Sequence, residues 1–251
     1  MNKEFLGSEI FNEDCLTTLG KMSDDSVDLV ITSPPYNMNL RIRNGEYCSR
    51  QVVKEFSSKY EGFDDNLPIE EYNELHTNIL KELLRVSPLV FYNVGIVTGS
   101  KRSVFQMIGD FNEQLKEIIV WDKGHGQPAM AEHVLNRRTE LILVFDKDDA
   151  ISRQFLSKGN FERGTLDDLW LIKRERSKHT GHGAVFPERL VEIILENFSE
   201  VADTVYDPFI GTGTTAVVAQ KLNRKFLGSE IDPKFFKVAK ERLNNVQQQL
   251  L

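Results

Sequence analysis

Asp28-Leu29-Val30-Ile31-Thr32-Ser33-Pro34-Pro35-Tyr36-Asn37 is the stretch that decides how the chain folds. Val27, Leu29, Val30 and Ile31 form a short, almost wholly apolar run, the pattern of a strand buried on both faces in a parallel sheet. Two prolines end it, because neither donates to a ladder and each restrains the residue before it. The product is a stiff, extended turn at the carboxyl end of a strand, where open α/β sheets hold their ligands. It offers the Ser33 hydroxyl, the Pro34 carbonyl and the Tyr36 aromatic face. One reading is a strand running into a proline-rich loop. The other is a clamp for a planar ring that carries an amino group, with two oxygens accepting from the amine and the ring stacked on tyrosine.

Outward from this stretch the pattern alternates strands and helices. Ile10 and Phe11 close a first strand before Asn12-Glu13-Asp14-Cys15, where Asp14 either faces a ligand amine or caps the helix that starts at Leu16. Pro68 suits a first helical turn, and Ile69, Tyr72, Leu75, Ile79 and Leu83 recur at helical spacing until Pro88. Residues 89–94 are the next strand, which completes a βαβ unit from residue 27 to 94. A helix over 104–115, a strand over 118–121, a loop over 122–129 and a strand over 141–145 follow. Pro187 opens a buried helix through Asn197. Two segments break the rhythm: residues 38–66, polar and aperiodic, read as a long loop, and residues 146–182, polar and basic, read as an insertion with one apolar patch around Trp170.

A second chemical motif lies at Thr204-Val205-Tyr206-Asp207-Pro208-Phe209-Ile210-Gly211-Thr212-Gly213-Thr214-Thr215-Ala216. A strand turns on glycines into a helix whose first N–H groups and positive dipole end face a ligand. The next strand ends on Glu230, placed to accept from two ribose hydroxyls. Gly-x-Gly-x-x-Ala followed by an acid also fits a dinucleotide fingerprint, so the loop alone leaves a nicotinamide enzyme open. One helix, about 233–246, remains after Glu230, so this half-sheet borrows strands from the N-terminal part. The hexapeptide Phe-Leu-Gly-Ser-Glu-Ile occurs twice, at 5–10 and 226–231, making Glu9 a decoy for Glu230.

Composition sets the bounds. The chain has 251 residues with 40% hydrophobic content, enough for one α/β domain with a sizeable core. No apolar run spans a membrane, no signal-peptide pattern opens the chain, and two cysteines make neither a disulfide framework nor a metal site. These features predict a soluble cytoplasmic protein. Net charge is 31 − 38 = −7, which argues against a nucleic-acid partner until its distribution is considered. Residues 41–60 carry Arg41, Arg43, Arg50, Lys54 and Lys59 against Glu46 and Glu55, 5 − 2 = +3. Residues 171–183 carry Lys173, Arg174, Arg176 and Lys178 against Glu175, 4 − 1 = +3. Local basic surface is what neutralises phosphates.

Ser33-Pro34-Pro35-Tyr36 resembles the catalytic motif of the amino-group DNA methyltransferases, which modify cytosine at N4 or adenine at N6. Asp207-Pro208-Phe209-x-Gly211-x-Gly213 resembles their cofactor loop, and the catalytic-before-cofactor order resembles the β class. The resemblance implies one catalytic domain over 1–251. Its fold would be Rossmann-like, an S-adenosylmethionine-dependent methyltransferase with a mostly parallel sheet, helices on both faces and permuted motif order. Ser33, Pro34, Pro35 and Tyr36 would be catalytic. Asp14, Cys15, His182, Asp207, Phe209, Gly211, Gly213, Thr214 and Glu230 would hold S-adenosylmethionine, with no metal. Arg41, Arg43 and Arg50, and Lys173, Arg174, Arg176 and Lys178, would contact double-stranded DNA, the insertion at 146–182 serving target recognition. A second copy and a companion restriction endonuclease are further partners of the resembled class.

The implied reaction is direct methyl transfer to a flipped-out base, whose amine gives hydrogen bonds to Ser33 and the Pro34 carbonyl so that its lone pair leaves conjugation. Cytosine C5 chemistry needs a Pro-Cys nucleophile, whereas Cys15 follows Asp14 and Cys48 follows Tyr47. Serine in the first motif position leans toward N4-cytosine over N6-adenine. A nicotinamide-dependent oxidoreductase, an inactive DNA-binding subunit and a protein or RNA methyltransferase are the competing classes.

Overall fold

The structure, a computed structural model, describes residues 7–37, 41–43, 46–48, 57–58, 66–97, 100–127, 132–147, 156–174 and 186–249. In chain order the elements are β1 (Glu9–Phe11), α1 (Cys15–Leu19), β2 (Leu29–Thr32), β3 (Arg41–Arg43), β4 (Glu46–Cys48) and β5 (Ser57–Ser58). Then come α2 (Ile69–Val86), β6 (Leu89–Val94), α3 (Lys101–Asp110), β7 (Leu115–Gln127), β8 (Arg137–Asp146) and β9 (Leu169–Leu171). The chain closes with α4 (Glu188–Phe198), β10 (Thr204–Asp207), α5 (Thr214–Lys221), β11 (Lys225–Ser229) and α6 (Pro233–Gln249).

Eight of the described strands form one sheet in the order β1-β11-β10-β2-β6-β8-β7-β9. The first five are parallel; β8 runs against both β6 and β7, and β9 is parallel to β7. Alternate residues of each strand serve opposite faces. Leu29 and Ile31 of β2 pack with Leu190, Ile194, Val217 and Ala239 of α4, α5 and α6. Val30 packs on the other face with Ile79, Leu83, Val104 and Leu19 of α2, α3 and α1. A fully buried aliphatic side chain contributes about 1.5–3 kcal/mol, so three such residues outweigh the cost of burying one hydroxyl, that of Thr32.

The central strands β10 and β2 mark the switch point. From β10 the chain crosses to β11 through α5 on one face, and from β2 it crosses to β6 through α2 on the other. The two crossovers diverge there and leave a crevice above the carboxyl ends of β10 and β2. Those ends are Asp207 and Thr32.

Several expectations need correction. The helix expected over 104–115 ends at Asp110, and Leu115 already belongs to β7. The loop expected over 122–129 is in part strand, because β7 continues to Gln127 after a register irregularity beyond Asp122. Within the expected loop at 38–66, β4-β3-β5 form a small antiparallel sheet. Within 146–182 the apolar patch around Trp170 behaves as expected of an insertion packed on the main domain: β9 joins the main sheet and buries Trp170, whose indole N–H bonds to the Asp167 carbonyl at 2.8 Å. The two hexapeptide copies meet as neighbouring strands but out of step: Glu9 faces Leu227, so Glu9 and Glu230 occupy unlike places. No helix among the described residues is long and apolar enough to cross a membrane.

Candidate active site

The two sequence motifs meet through their last strand residues. Thr32 Oγ1 donates to Asp207 Oδ1 at 2.8 Å, and Thr215 Oγ1 donates to Asp207 Oδ2 at 2.7 Å. The Phe209 amide also donates to Oδ1, at 3.0 Å. Asp207 is thus a brace joining β10, β2 and the first turn of α5. Burial pushes its carboxyl up to about 6, and the hydroxyl and amide donors pull the other way.

Beyond Thr32 the turn is tightly held. Tyr72 of α2 donates to the Pro35 carbonyl at 2.6 Å. Asn37 adopts φ 53° and exchanges two hydrogen bonds with the Leu67 backbone, at 2.9 and 2.7 Å. An asparagine tolerates that left-handed conformation better than most residues. Among the described residues no donor reaches the Pro34 carbonyl. Ser33 is half-buried, and its Oγ lies 3.0 Å from the Tyr36 hydroxyl.

Tyr36 enters a polar cluster that sequence reading missed. Its hydroxyl donates to Glu140 Oε2 at 2.9 Å. Asn93 Nδ2 faces Ser33 Oγ at 3.2 Å, the Tyr36 oxygen at 2.5 Å and Glu140 Oε2 at 2.9 Å. Lys123 Nζ donates to Glu140 Oε1 at 2.8 Å, and Arg174 reaches the same oxygen at 3.3 Å. Burial raises the Glu140 carboxyl, but the Lys123 ammonium and the donors around it outweigh burial and hold it below the usual carboxylate range. Burial and the Glu140 charge push the Tyr36 phenol well above its ordinary value, so it stays neutral. The ring packs on Gly95, where a Cβ would lie 2.7 Å from Tyr36 Cε2. A signal for this cluster existed: Asn93 interrupts an otherwise apolar strand, and Glu140 directly precedes the apolar run Leu141-Ile142-Leu143-Val144-Phe145. Lys123 gave none.

On the other side of the switch point stands the glycine loop. Gly211 has φ 53°, and a Cβ there would meet nothing closer than the Phe209 carbonyl at 3.9 Å, so its backbone is open to a ligand. Gly213 is also constrained from within the fold: with φ 85°, its missing Cβ would lie 2.9 Å from that of Ala239 on α6. Arg242 of α6 donates to the Thr212 carbonyl at 2.8 Å and to Thr214 Oγ1 at 3.1 Å, fixing the loop from beneath. Glu230 is buried, and its two oxygens accept from the Gly211 and Asp232 amides, each at 2.8 Å. Burial lifts its carboxyl to about 7. Each oxygen keeps a second lone pair for another donor.

Asp14 caps α1, accepting from the Leu16 amide at 2.8 Å, while its side chain remains exposed. Cys15 is buried at the first turn of α1, and burial drives its thiol up to about 12. Phe209 is half-buried against the α1, α2 and α3 side of the sheet. Lys173 and Arg174 are exposed at the end of β9. Arg41 and Arg43 lie on β3, of which only the backbone is described. His182, Arg50, Arg176 and Lys178 lie outside the described residues.

The sequence and the fold have known counterparts. A family model described as DNA methylase, of the N6/N4 type, matches residues 27–241. The Type II methyltransferase M.BglII of Bacillus subtilis is 30% identical over 94% of this chain and 69% of its own length. The Type II methyltransferase M2.DpnII of Streptococcus pneumoniae is 28% identical over 93% of this chain and 88% of its own. Among solved structures, the cytosine-N4-specific PvuII DNA methyltransferase superposes with a TM-score of 0.71 at 20% identity, covering 96% of this chain and 90% of that one. The M1.HpyAVI–S-adenosylmethionine complex gives 0.61 at 20% identity, over 94% and 99% of the two chains. The fold is therefore that of the S-adenosylmethionine-dependent methyltransferases. With the family model spanning both motifs and the strands between them, the chain belongs to the DNA methylase family of amino-group methyltransferases.

Proposed function

We propose that this enzyme transfers a methyl group from S-adenosylmethionine to the exocyclic N4 of cytosine within a short target in double-stranded DNA, after the base has been flipped out of the duplex. The observation that carries the reading is the 2.8 Å bond between Thr32 and Asp207, which sets the Ser33–Tyr36 turn beside the glycine loop at one crevice. A site for an amine-bearing ring and a site for a nucleoside thus share one mouth.

The residues present fit the cofactor. Gly211 leaves its backbone open, the first turn of α5 presents N–H groups with no helical partner, and Glu230 keeps lone pairs for a ribose diol. Glu230, Gly211, Phe209, Thr214 and the exposed Asp14 would hold it, with Asp207 and Gly213 shaping the loop. When bound, S-adenosylmethionine supplies a methyl carbon made electrophilic by the neighbouring sulfonium. The chain's own part is to hold the amine. Ser33 Oγ and the Pro34 carbonyl accept its two N–H bonds, drawing the nitrogen toward tetrahedral geometry, and Tyr36 packs along the base. Such positioning and preorganised polarity account for most of what a protein can add here.

Two features support cytosine over adenine: serine in the first position of the motif, and the cytosine-N4-specific enzyme among the structural counterparts. Exposed Lys173 and Arg174 suit a phosphate backbone, and Arg41, Arg43, Arg50, Arg176 and Lys178 are proposed from the sequence as further DNA contacts. The Type II names of the relatives suit a modification enzyme that works in the cytoplasm alongside a restriction endonuclease. Nucleoside mass spectrometry of duplex DNA incubated with the enzyme and S-adenosylmethionine tests the reading. N4-methylcytosine is expected; N6-methyladenine would move the target to adenine, and no methylated nucleoside at all would end the proposal.

A further inference from the structure

The cluster behind Ser33 has a direction. A carboxylate only accepts, so the single proton of the Tyr36 hydroxyl goes to Glu140 Oε2, 2.9 Å away. The Tyr36 oxygen is then left with lone pairs. Ser33 Oγ, at 3.0 Å, must turn its own proton toward that oxygen. Asn93 brings two more hydrogens on Nδ2, shared among Ser33, Tyr36 and Glu140, and these also approach as donors. Of the two Ser33 lone pairs, one faces Asn93 and the other meets no donor among the described residues. Every bond in the chain points toward the anion.

We infer that Glu140, paired with Lys123, is a positioning residue that fixes Ser33 as a hydrogen-bond acceptor toward the crevice, and so selects a base edge carrying an amino group over one carrying a carbonyl. Lys123 is buried with a side-chain exposure of 3%, and Glu140 has 11%, so neither is an ordinary surface ion. Glu140 meets the Tyr36 hydroxyl and Lys123 meets Glu140, so in the arrangement argued above neither touches base or cofactor. Their effect passes through Tyr36. A neutral amide in place of the carboxylate would donate to the Tyr36 oxygen, freeing the phenol proton to turn toward Ser33. The serine proton would then face the incoming amine, donor against donor. Hydrogen-bond chains in a poorly screened interior polarise one another, so the anion also strengthens the lone pair that Ser33 presents. This inference rests on the reading of Ser33 as the amine acceptor.

The test compares the wild-type enzyme with Glu140→Gln and with Lys123→Met combined with Glu140→Gln, the second removing both charges so that neither is left buried alone. Single-turnover methyl transfer is measured with duplex DNA and S-adenosylmethionine, together with KM for each and the circular dichroism spectrum. The expected result is a fall in kcat of at least about 10-fold with both KM values within about threefold and the spectrum unchanged, the signature of a misdirected group and not of a lost binding site. A kcat within about twofold of wild type in the folded double variant would overturn the inference, leaving the ion pair a structural element. Should the double variant not fold, Tyr36→Phe cuts the same chain without touching either charge. A fall in kcat at constant KM then supports the inference, and a full rate overturns it. Ser33→Ala separates the two levels of the argument. If it stays fully active, the reading of Ser33 itself is wrong. If it is inactive while the doubly neutral pair is fully active, only the role of Glu140 falls.

Discussion

Thr32 Oγ1 and Asp207 Oδ1 lie 2.8 Å apart although 175 residues separate them in sequence, and both are buried. The bond crosses the seam between β2 and β10, where the parallel ladder pairs Leu29 with Val205 and Val30 with Tyr206. It fixes how far the proline turn stands from the glycine loop.

Thr32→Val keeps the shape of β2 but removes that donor. Asp207 would retain Thr215 and the Phe209 amide, so the loss should be about 1–3 kcal/mol, the usual cost of leaving a buried acceptor short of a partner. Chemical denaturation monitored by circular dichroism would show it. Unchanged stability would mean that the bond contributes nothing measurable.

Glu230 provides a pH signature. Its carboxyl is lifted by burial to about 7, so at pH 6 most of it carries a proton and has lost acceptor capacity. Affinity for S-adenosylmethionine should therefore strengthen as pH rises from about 6 to about 8, and Glu230→Gln should flatten that dependence. Glu230→Ala should weaken binding about 10- to 100-fold, the range for losing a hydrogen bond to a charged group. Isothermal titration across the pH range is the measurement.

Gly95→Ala would place a methyl group 2.7 Å from Tyr36 Cε2 and 2.8 Å from Cδ2, forcing the ring to move. Since a displacement of about 1 Å at a reacting centre can cost about a hundredfold in rate, kcat should fall by one to two orders of magnitude, while binding of S-adenosylmethionine across the crevice persists. Steady-state kinetics paired with a binding assay distinguishes this from general unfolding.

Gly213→Ala acts on stability instead. A φ of 85° and the approach to Ala239 both oppose a side chain, so a loss of about 1–3 kcal/mol is expected, lowering Tm by several degrees. Differential scanning calorimetry reads it directly.

Stability against pH should carry opposed contributions, those of His76 on one side and of Asp207, joined by Glu230, on the other. His76, its ring tilted against that of Tyr72 and bonded through Nδ1 to the Tyr92 hydroxyl, is drawn by burial down to about 3. Its folded value lies below the unfolded one, so stability present above about pH 6.5 is lost as pH falls toward 3. Asp207 runs the other way: its folded value, about 6, exceeds the unfolded 3.8, so its contribution is full below about 4 and lost as pH rises through 6. Denaturation midpoints between pH 4 and 6.5 should fall more gently with acid in His76→Gln than in wild type. Equal slopes would remove the histidine from this account.

The sequence by itself determined the strand and helix order, both motifs and the class of chemistry, because these depend on local rules. A buried strand shows as an apolar run, a helix as a 3.6-residue period, and a ligand turn as prolines or glycines at a strand end. The apolar run predicts a strand over residues 89–94, and β6 occupies that span. Pairing across the sheet decided the rest. Asn93, Lys123 and Glu140 become one cluster only because β8 inserts antiparallel between β6 and β7, bringing together three positions with no common period. The same long-range packing turned Asp207 into a brace, since its carboxylate is met by Thr32 from a neighbouring strand, and explained Gly213 by a helix that begins twenty residues later, at Pro233 (233 − 213 = 20). Periodicity reports which face a residue lies on; only the fold decides what stands opposite it.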